Sequence, residues 1–157
     1  MTDDRPETPR DIGNADRGAE PGMAESLTRA EAVIAKLAAE YPAIALKDVA
    51  DCQAALDAAR AEPVRRYEHL RRLYSIAHNI KGQGGSFNYP LVTRIGQSLC
   101  RFIAEAGEME LQETELPIVQ AHLDALKLIL EQRISGEGGE TATKLAERLE
   151  SLTHRDA

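Results

Sequence analysis

"AHNIKGQGGSFN", residues 77–88, sets a histidine, a lysine three positions later and three glycines inside a stretch that otherwise keeps a helical period. Leu70, Leu73, Ala77, Ile80, Gly84 and Phe87 recur at i, i+3, i+7, i+10, i+14 and i+17, which is one stripe of a helix. A glycine inside a helix costs about 1 kcal/mol relative to alanine, so three of them need a reason. His78 is turned about 100° from Ala77 and stands on the shoulder of the stripe, towards solvent. Tyr74 and Ser75 lie behind it on that shoulder, Lys81 and Gly82 ahead, and Gly85 one turn beyond. Two readings stand. In one, His78 is a surface histidine and the glycines are helix-packing contacts. In the other, the glycines clear the way for something large to reach a bare imidazole. A neutral imidazole is a competent nucleophile, and a cation one turn away would stabilise an incoming phosphoryl group.

Outward from this stretch the chain continues as helices. Asn88 suits the left-handed C-terminal cap of the helix carrying His78, and Pro63 suits its first turn. Upstream, Leu27, Ala30, Ile34, Leu37 and Ala38 predict a helix from residue 23 that stops near Tyr41-Pro42, because the residue before proline avoids the α region. Leu46, Val49, Cys52, Leu56 and Ala59 predict a second helix. Downstream, Pro90 opens a helix through Leu91, Ile95, Leu99, Phe102 and Ile103 that ends at Gly107. Thr114 is the expected N-cap of the next, whose face is Leu116, Val119, Leu123, Leu126 and Leu130. "SGEGG" at 135–139 breaks it, and a short last helix follows on Leu145, Leu149 and Leu152. Short connections favour antiparallel neighbours. The expected fold is all-α: an antiparallel up-down-up-down four-helix bundle with extra N-terminal and C-terminal helices. Its parts are a disordered tail over 1–22, an accessory helix over 23–43, the bundle over 44–134, and a Gly-rich loop with a short helix over 135–157. The tail is assigned by composition, since Ile12 is its one large aliphatic side chain among prolines, glycines and charges.

Composition agrees. Of the 157 residues 43% are apolar but only 4% aromatic, with no Trp, so aliphatic side chains and alanine must fill the core. A net charge of −7 without a basic run argues against nucleic acid or an anionic membrane surface as the partner. "RRYEHLRR" at 65–72 is a local basic patch, either a solvated helix face or a docking surface for an acidic partner. Cys52 and Cys100 lie in apolar-periodic segments and read as reduced and buried, with a single disulfide as the alternative. No apolar run reaches the 18 or so residues of a spanning helix, and residues 1–22 lack a signal-peptide core; a soluble, cytoplasmic protein is expected.

The side chains needed for other chemistries are not in place. His69 and His78, nine residues apart on one helix, point to opposite sides and cannot share a metal. His122 has no second ligand at i+4, and the Glu-x-x-His pairs of di-iron bundles are missing. Neither a G-x-S-x-G elbow nor a phosphate-cradling Gly-rich loop after a strand occurs. A hydrolase built on one exposed histidine would need an oriented partner in a cleft, and none is evident.

The stretch 77–88 resembles the signature of histidine-containing phosphotransfer (HPt) domains: Ala-His, a hydrophobic residue two after the histidine, then Lys-Gly. His78, Ile80, Lys81, Gly82, Gly85 and Phe87 occupy the matching places; Asn88 departs from the usual glycine. Val92, Ile95 and Leu99 on the next helix fit as well, and the resemblance covers roughly residues 44–133. It implies a four-helix bundle whose exposed His78 carries phosphoryl groups between receiver-domain aspartates of a two-component phosphorelay. It implies receiver domains and a hybrid sensor histidine kinase as partners, with no ATP-binding domain in the carrier, which is expected to be monomeric. It implies no cofactor, since the divalent metal belongs to the receiver. Lys81 would stabilise the phosphoryl charge, and Tyr74, Gly82 and Gly85 would meet the partner. In the family a polar side chain of the following helix orients the imidazole and leaves Nε2 to carry phosphate. That position falls on Cys100, a poor hydrogen-bonding group, so Gln97 is the candidate, with Arg101 as a substitute. The competing expectation is a helical interaction module that binds a kinase or receiver without being phosphorylated; the intact His-x-x-Lys-Gly argues against it.

Overall fold

The computed structural model describes residues 21–107 and 111–154. Of the tail expected over 1–22, residues 1–20 lie outside this set; Pro21 and Gly22 open the first helix. Five α-helices follow in order: α1 (Pro21–Ala61), α2 (Arg66–Gly84), α3 (Pro90–Ala106), α4 (Leu116–Glu131) and α5 (Gly139–Leu152). Among the described residues there is no strand. The chain divides into two units at Leu37/Ala38, inside α1.

In the second unit, α1 from Ala38 onward shares one buried core with α2, α3 and α4 in a four-helix bundle, and α5 packs on α3 and α4. The core takes one stripe from each helix. Val49, Cys52, Leu56 and Ala59 come from α1, Leu70, Leu73, Ala77 and Ile80 from α2, Val92, Ile95, Leu99 and Phe102 from α3, and Leu116, Val119, Leu123, Leu126 and Leu130 from α4. These are the residues that the helical period selects. Ala142, Ala146 and Leu149 anchor α5, while Leu152, expected on that face, is exposed.

The helix break expected at Tyr41-Pro42 does not occur. Pro42 lies inside α1, and the two helices expected over 23–41 and 46–59 are one. Proline removes an intrahelical hydrogen bond and disfavours the α region before it, but here burial overrides that local preference. Tyr41 and Pro42 are both buried. The Tyr41 ring stacks on Phe87 with centroids 4.9 Å apart and meets Tyr89 at 5.5 Å. Arg133 Nη1 adds a hydrogen bond of 3.2 Å to the Ala39 carbonyl in the same turn.

Two turns shape the junction of α2 with α3 and the start of α4. α2 tightens into a 3₁₀ turn at Gly85–Phe87, and Asn88 takes the left-handed conformation (φ 67°, ψ 38°) expected of it. Pro90 then opens α3. α4 starts differently from expectation. A 3₁₀ turn over Glu113–Glu115 precedes it, and the Gln112 N–H, not Thr114, is the capped group, donating to Glu115 Oε1 at 2.9 Å.

Candidate functional site

His78 projects from the exposed face of α2, one turn after Tyr74, whose ring centroid is 6.1 Å from the imidazole. Ser75 and Gly82 on the same strip are exposed, as is Gly85, while Tyr74, Ile76 and Lys81 are half-buried. A Cβ built on Gly82 would meet no atom within 4 Å, and one on Gly85 only Thr93 Oγ1 at 3.8 Å. Both positions therefore hold open space on the strip of α2 that carries His78. Gly84 serves the other purpose: its Cβ would stand 2.9 Å from the Tyr89 carbonyl oxygen and 3.0 Å from the Thr93 nitrogen. The glycines thus divide between the two sequence readings, with Gly84 a packing contact and Gly82 and Gly85 open.

Lys81 owes its placement to α3. A Cβ on Gly96 would lie 3.1 Å from Lys81 Cβ and 3.3 Å from its Cα, so the two helices touch backbone to backbone at this level. Thr93 Oγ1 donates a 2.9 Å hydrogen bond to the Lys81 carbonyl. The ammonium stem also runs close to Cys100. Burial pushes the Cys100 thiol up, and the nearby Lys81 charge offsets part of that push. Gly96 and Thr93 were not singled out in the sequence. The signal for Gly96 was there: a glycine at i+4 from Val92, on the core side of a strongly amphipathic helix.

The structure does not bring Gln97 onto the imidazole. Gln97 is exposed on α3, directly after Gly96, and among the described residues no hydrogen bond joins it to His78. Arg101 is exposed one turn further along, and Cys100 is buried. The basic patch at 65–72 separates into unlike parts. Arg65 pairs with Glu68 at 3.0 Å and Glu62 at 3.6 Å. Arg66 turns inward, its Nε donating to the Ala59 carbonyl at 3.4 Å. Arg71 lies over the Tyr67 ring at 5.9 Å and is exposed two turns before His78 on the same face of α2, while Arg72 is exposed about 120° around the helix.

His69 and His122 lie away from this strip. His69 Nε2 sits 3.5 Å from Glu62 Oε2. His122 is fully buried on α4, its Nδ1–H donating to the Ile118 carbonyl at 2.7 Å. Since that carbonyl can only accept, Nε2 is the acceptor for the Ser98 hydroxyl at 2.9 Å. Cys52 and Cys100 are free and buried. Among the described residues no three His, Cys, Asp or Glu side chains gather as a metal site, and no helix is long and apolar enough to cross a membrane.

An exposed imidazole with clear flanks and a cation one turn away can attack an electrophilic phosphorus that arrives on a partner's surface. None of the cavities among the described residues that are lined by Leu46 and Glu131, by Glu137 and Glu147, by Ala24 and Arg29 or by Tyr67 and Leu111 has His78 in its wall. Compared with known families, residues 27–132 match the model of the Hpt domain. No curated protein and no solved structure matches the chain.

Proposed function

The chain belongs to the Hpt domain family, a phosphotransfer module of two-component signalling, and on that premise we propose that His78 carries a phosphoryl group between receiver-domain aspartates. The observation that carries this reading is the open ground around the imidazole: His78 exposed on α2, with nothing within 4 Å of where a Gly82 side chain would begin. Transfer from an aspartyl phosphate proceeds by attack of the His78 Nε2 lone pair on phosphorus. The P–N bond forms as the P–O bond to the aspartate breaks, and the electron pair leaves with the carboxylate. The ring keeps its Nδ1 proton and carries positive charge until that proton passes to water. The reverse sequence loads the next receiver.

Lys81 faces the charge on the transferring oxygens, where a fixed cation contributes most. Thr93 and Gly96 hold the backbone from which it projects. Tyr74, Gly82 and Gly85 form the ground on which the receiver lands, with Arg71 towards its acidic rim. Gln97 is proposed as the side chain that fixes the imidazole tautomer once a partner is docked. The divalent metal and the phosphoryl donor both come with the partner, a receiver domain or a hybrid sensor histidine kinase, and the work is done in the cytoplasm.

The test is a transfer assay with a radiolabelled, phosphorylated receiver domain. Wild type is expected to take up an acid-labile, base-stable label, His78→Gln to take up none, and Lys81→Ala to label more slowly. A wild-type chain that binds a receiver or kinase yet accepts no label from a broad panel would replace this reading with that of an unphosphorylated interaction module.

A further inference from the structure

The first unit of the chain, described from Pro21 to Leu37, is helical, and its large apolar side chains are exposed among the described residues. Met23 is 51% exposed, Leu27 57%, Ile34 61% and Leu37 46%, and Val33 beside them 56%. Most helical stability in proteins comes from burying such a face. A row of large aliphatic side chains left in solvent marks a surface made for contact.

The spacing identifies the contact. Met23, Leu27, Ala30, Ile34 and Leu37 follow one another at intervals of 4, 3, 4 and 3, which is the heptad seam of a coiled coil, with Leu27 and Ile34 at a positions and Met23, Ala30 and Leu37 at d. An Ile at a followed by a Leu at d favours two strands.

The charges fit a second copy of the same segment. The chain as a whole carries −7, but within 23–37 Glu25 and Glu31 are balanced by Arg29 and Lys36. Two copies therefore meet without the net repulsion that other acidic surfaces of the molecule would bring. In a parallel pair the flanking Glu31 of one strand lies across from Ser26 of the other, so no like charges oppose each other. In an antiparallel pair centred on Ala30, the two Glu31 carboxylates would approach. The remaining polar groups are turned outward and bond within the helix: Thr28 Oγ1 to the Ala24 carbonyl at 2.9 Å, and Arg29 to Ser26 at 3.4 Å.

We propose that the segment Met23–Leu37 pairs with the same segment of a second copy as a parallel two-stranded coiled coil, making the protein a dimer. This departs from the monomer expected from sequence, and it stands apart from the phosphotransfer reading, because no residue of the seam belongs to the His78 site.

Sedimentation equilibrium of the full chain tests it. The apparent mass is expected to rise from the 17.2 kDa of one chain towards twice that value as the concentration reaches about 100 μM, a range suited to micromolar association. His78→Gln should behave as wild type. The double variant Leu27→Glu/Ile34→Glu should stay at the mass of one chain with an unchanged thermal transition of the bundle, since both positions are solvent-exposed in a single copy. Met23→Cys, at one end of the seam, should form an interchain disulfide on mild oxidation, as only a parallel pair brings the two cysteines together. Wild type that remains monomeric across the range overturns the proposal in favour of a helix from a different protein as the occupant. A dimer that survives the double substitution, or that never crosslinks through Met23→Cys, overturns it as well.

Discussion

Gly84 at the end of α2 and Thr93 in the first turn of α3 are in backbone contact: a Cβ on Gly84 would lie 2.7 Å from Thr93 Oγ1 and 3.0 Å from its nitrogen. The Tyr89 N–H also bonds the Gly84 carbonyl at 2.8 Å, and Thr93 Oγ1 bonds the carbonyl of Lys81. This junction fixes how α2 presents its outer face. Because the approach involves main-chain atoms, neither helix can yield by turning a side chain.

Gly84→Ala and Gly82→Ala should therefore have opposite effects, although both replace a helical glycine. At Gly82 the added methyl meets nothing, so the helix gains up to about 1 kcal/mol and the melting temperature rises. At Gly84 the clash with main-chain atoms outweighs that gain, and a net loss of about 1–3 kcal/mol is expected, the usual range for overpacking. Phosphotransfer should show the reverse order of sensitivity per unit of stability. Gly82→Ala, more stable than wild type, should still be slower because its methyl occupies open ground that a docking partner would use. Thermal melts and transfer rates on the two variants separate these outcomes, and a Gly82→Ala protein that transfers at the wild-type rate would remove Gly82 from the landing ground.

The two cysteines should be silent in the folded protein. Burial pushes the Cys52 thiol up to about 12, with Asp48 adding to the shift, and Cys100 is likewise raised. The thiolate is the reactive form. At pH 8 a thiol-specific reagent is expected to leave native protein unmodified, and to label both cysteines once denaturant unfolds it. Stoichiometric labelling of the native state, followed by mass spectrometry, would contradict the buried environment of these residues.

Much of this arrangement could be read from the sequence, and the exceptions have a common cause. Periods of three and four pick out the buried stripes because burial of a helix face is a property of the helix itself. Asn88 was legible as a left-handed cap for the same reason: the preference lies within one residue. Pro42 was misleading because its local preference is overridden by partners more than forty residues away, Phe87 and Tyr89 against Tyr41. Thr114 lost the cap to Gln112, both being polar residues at the mouth of one helix. Gly96, Thr93 and the Ser98–His122 pair are meetings of two helices, and no period within either helix announces which side chain stands opposite. The exposure of His78 was legible because it is set by its own helix; what positions Lys81 from α3 was not.

His122 should give the protein a stability that declines in mild acid. Burial lowers its pKa below the ordinary 6.5, and only the bond to the Ile118 carbonyl works against this. In the unfolded chain the same imidazole titrates near 6.5, so below that pH the unfolded state binds the extra proton and the folded state does not. Stability then rises with pH through that window: the folded state is at full strength above about 6.5 and weakens as the pH falls towards the folded pKa. His122→Gln is expected to lower stability throughout but to flatten this slope. Denaturant midpoints measured across pH 5 to 8, about the range in which histidine titrates, report the slope directly. An unchanged slope in the variant would assign the acid sensitivity to other groups. Ser98→Ala, which strips His122 Nε2 of its hydroxyl donor, should cost about 1–2 kcal/mol at neutral pH.

α5 is tied to α3 by Arg94 and Glu150, whose two hydrogen bonds measure 2.8 and 2.7 Å in a bidentate arrangement. The guanidinium holds the Glu150 carboxyl below its ordinary range, against the opposing effect of burial. A group depressed in this way contributes at neutral pH, and the contribution fades as the pH falls through the carboxylate range. The pair is partly exposed, with side-chain accessibilities of 37% and 31%, so solvent screening limits it to about 0.5–1 kcal/mol. Since α5 is anchored by only two buried alanines, Ala142 and Ala146, and one buried leucine, Leu149, among the described residues, that amount matters more to α5 than it would to a core helix. Arg94→Met, which keeps the apolar stem and removes the charge, is expected to raise amide hydrogen exchange in α5 several-fold while leaving α2 and α3 protected. Because Arg94 lies next to Thr93, the same variant reports whether α5 supports the Lys81 junction. If α5 only covers the bundle, phosphotransfer stays at the wild-type rate; if it braces α3, transfer slows along with the loss of protection. Unchanged exchange in α5 would mean that its apolar anchors suffice and that the ion pair holds nothing.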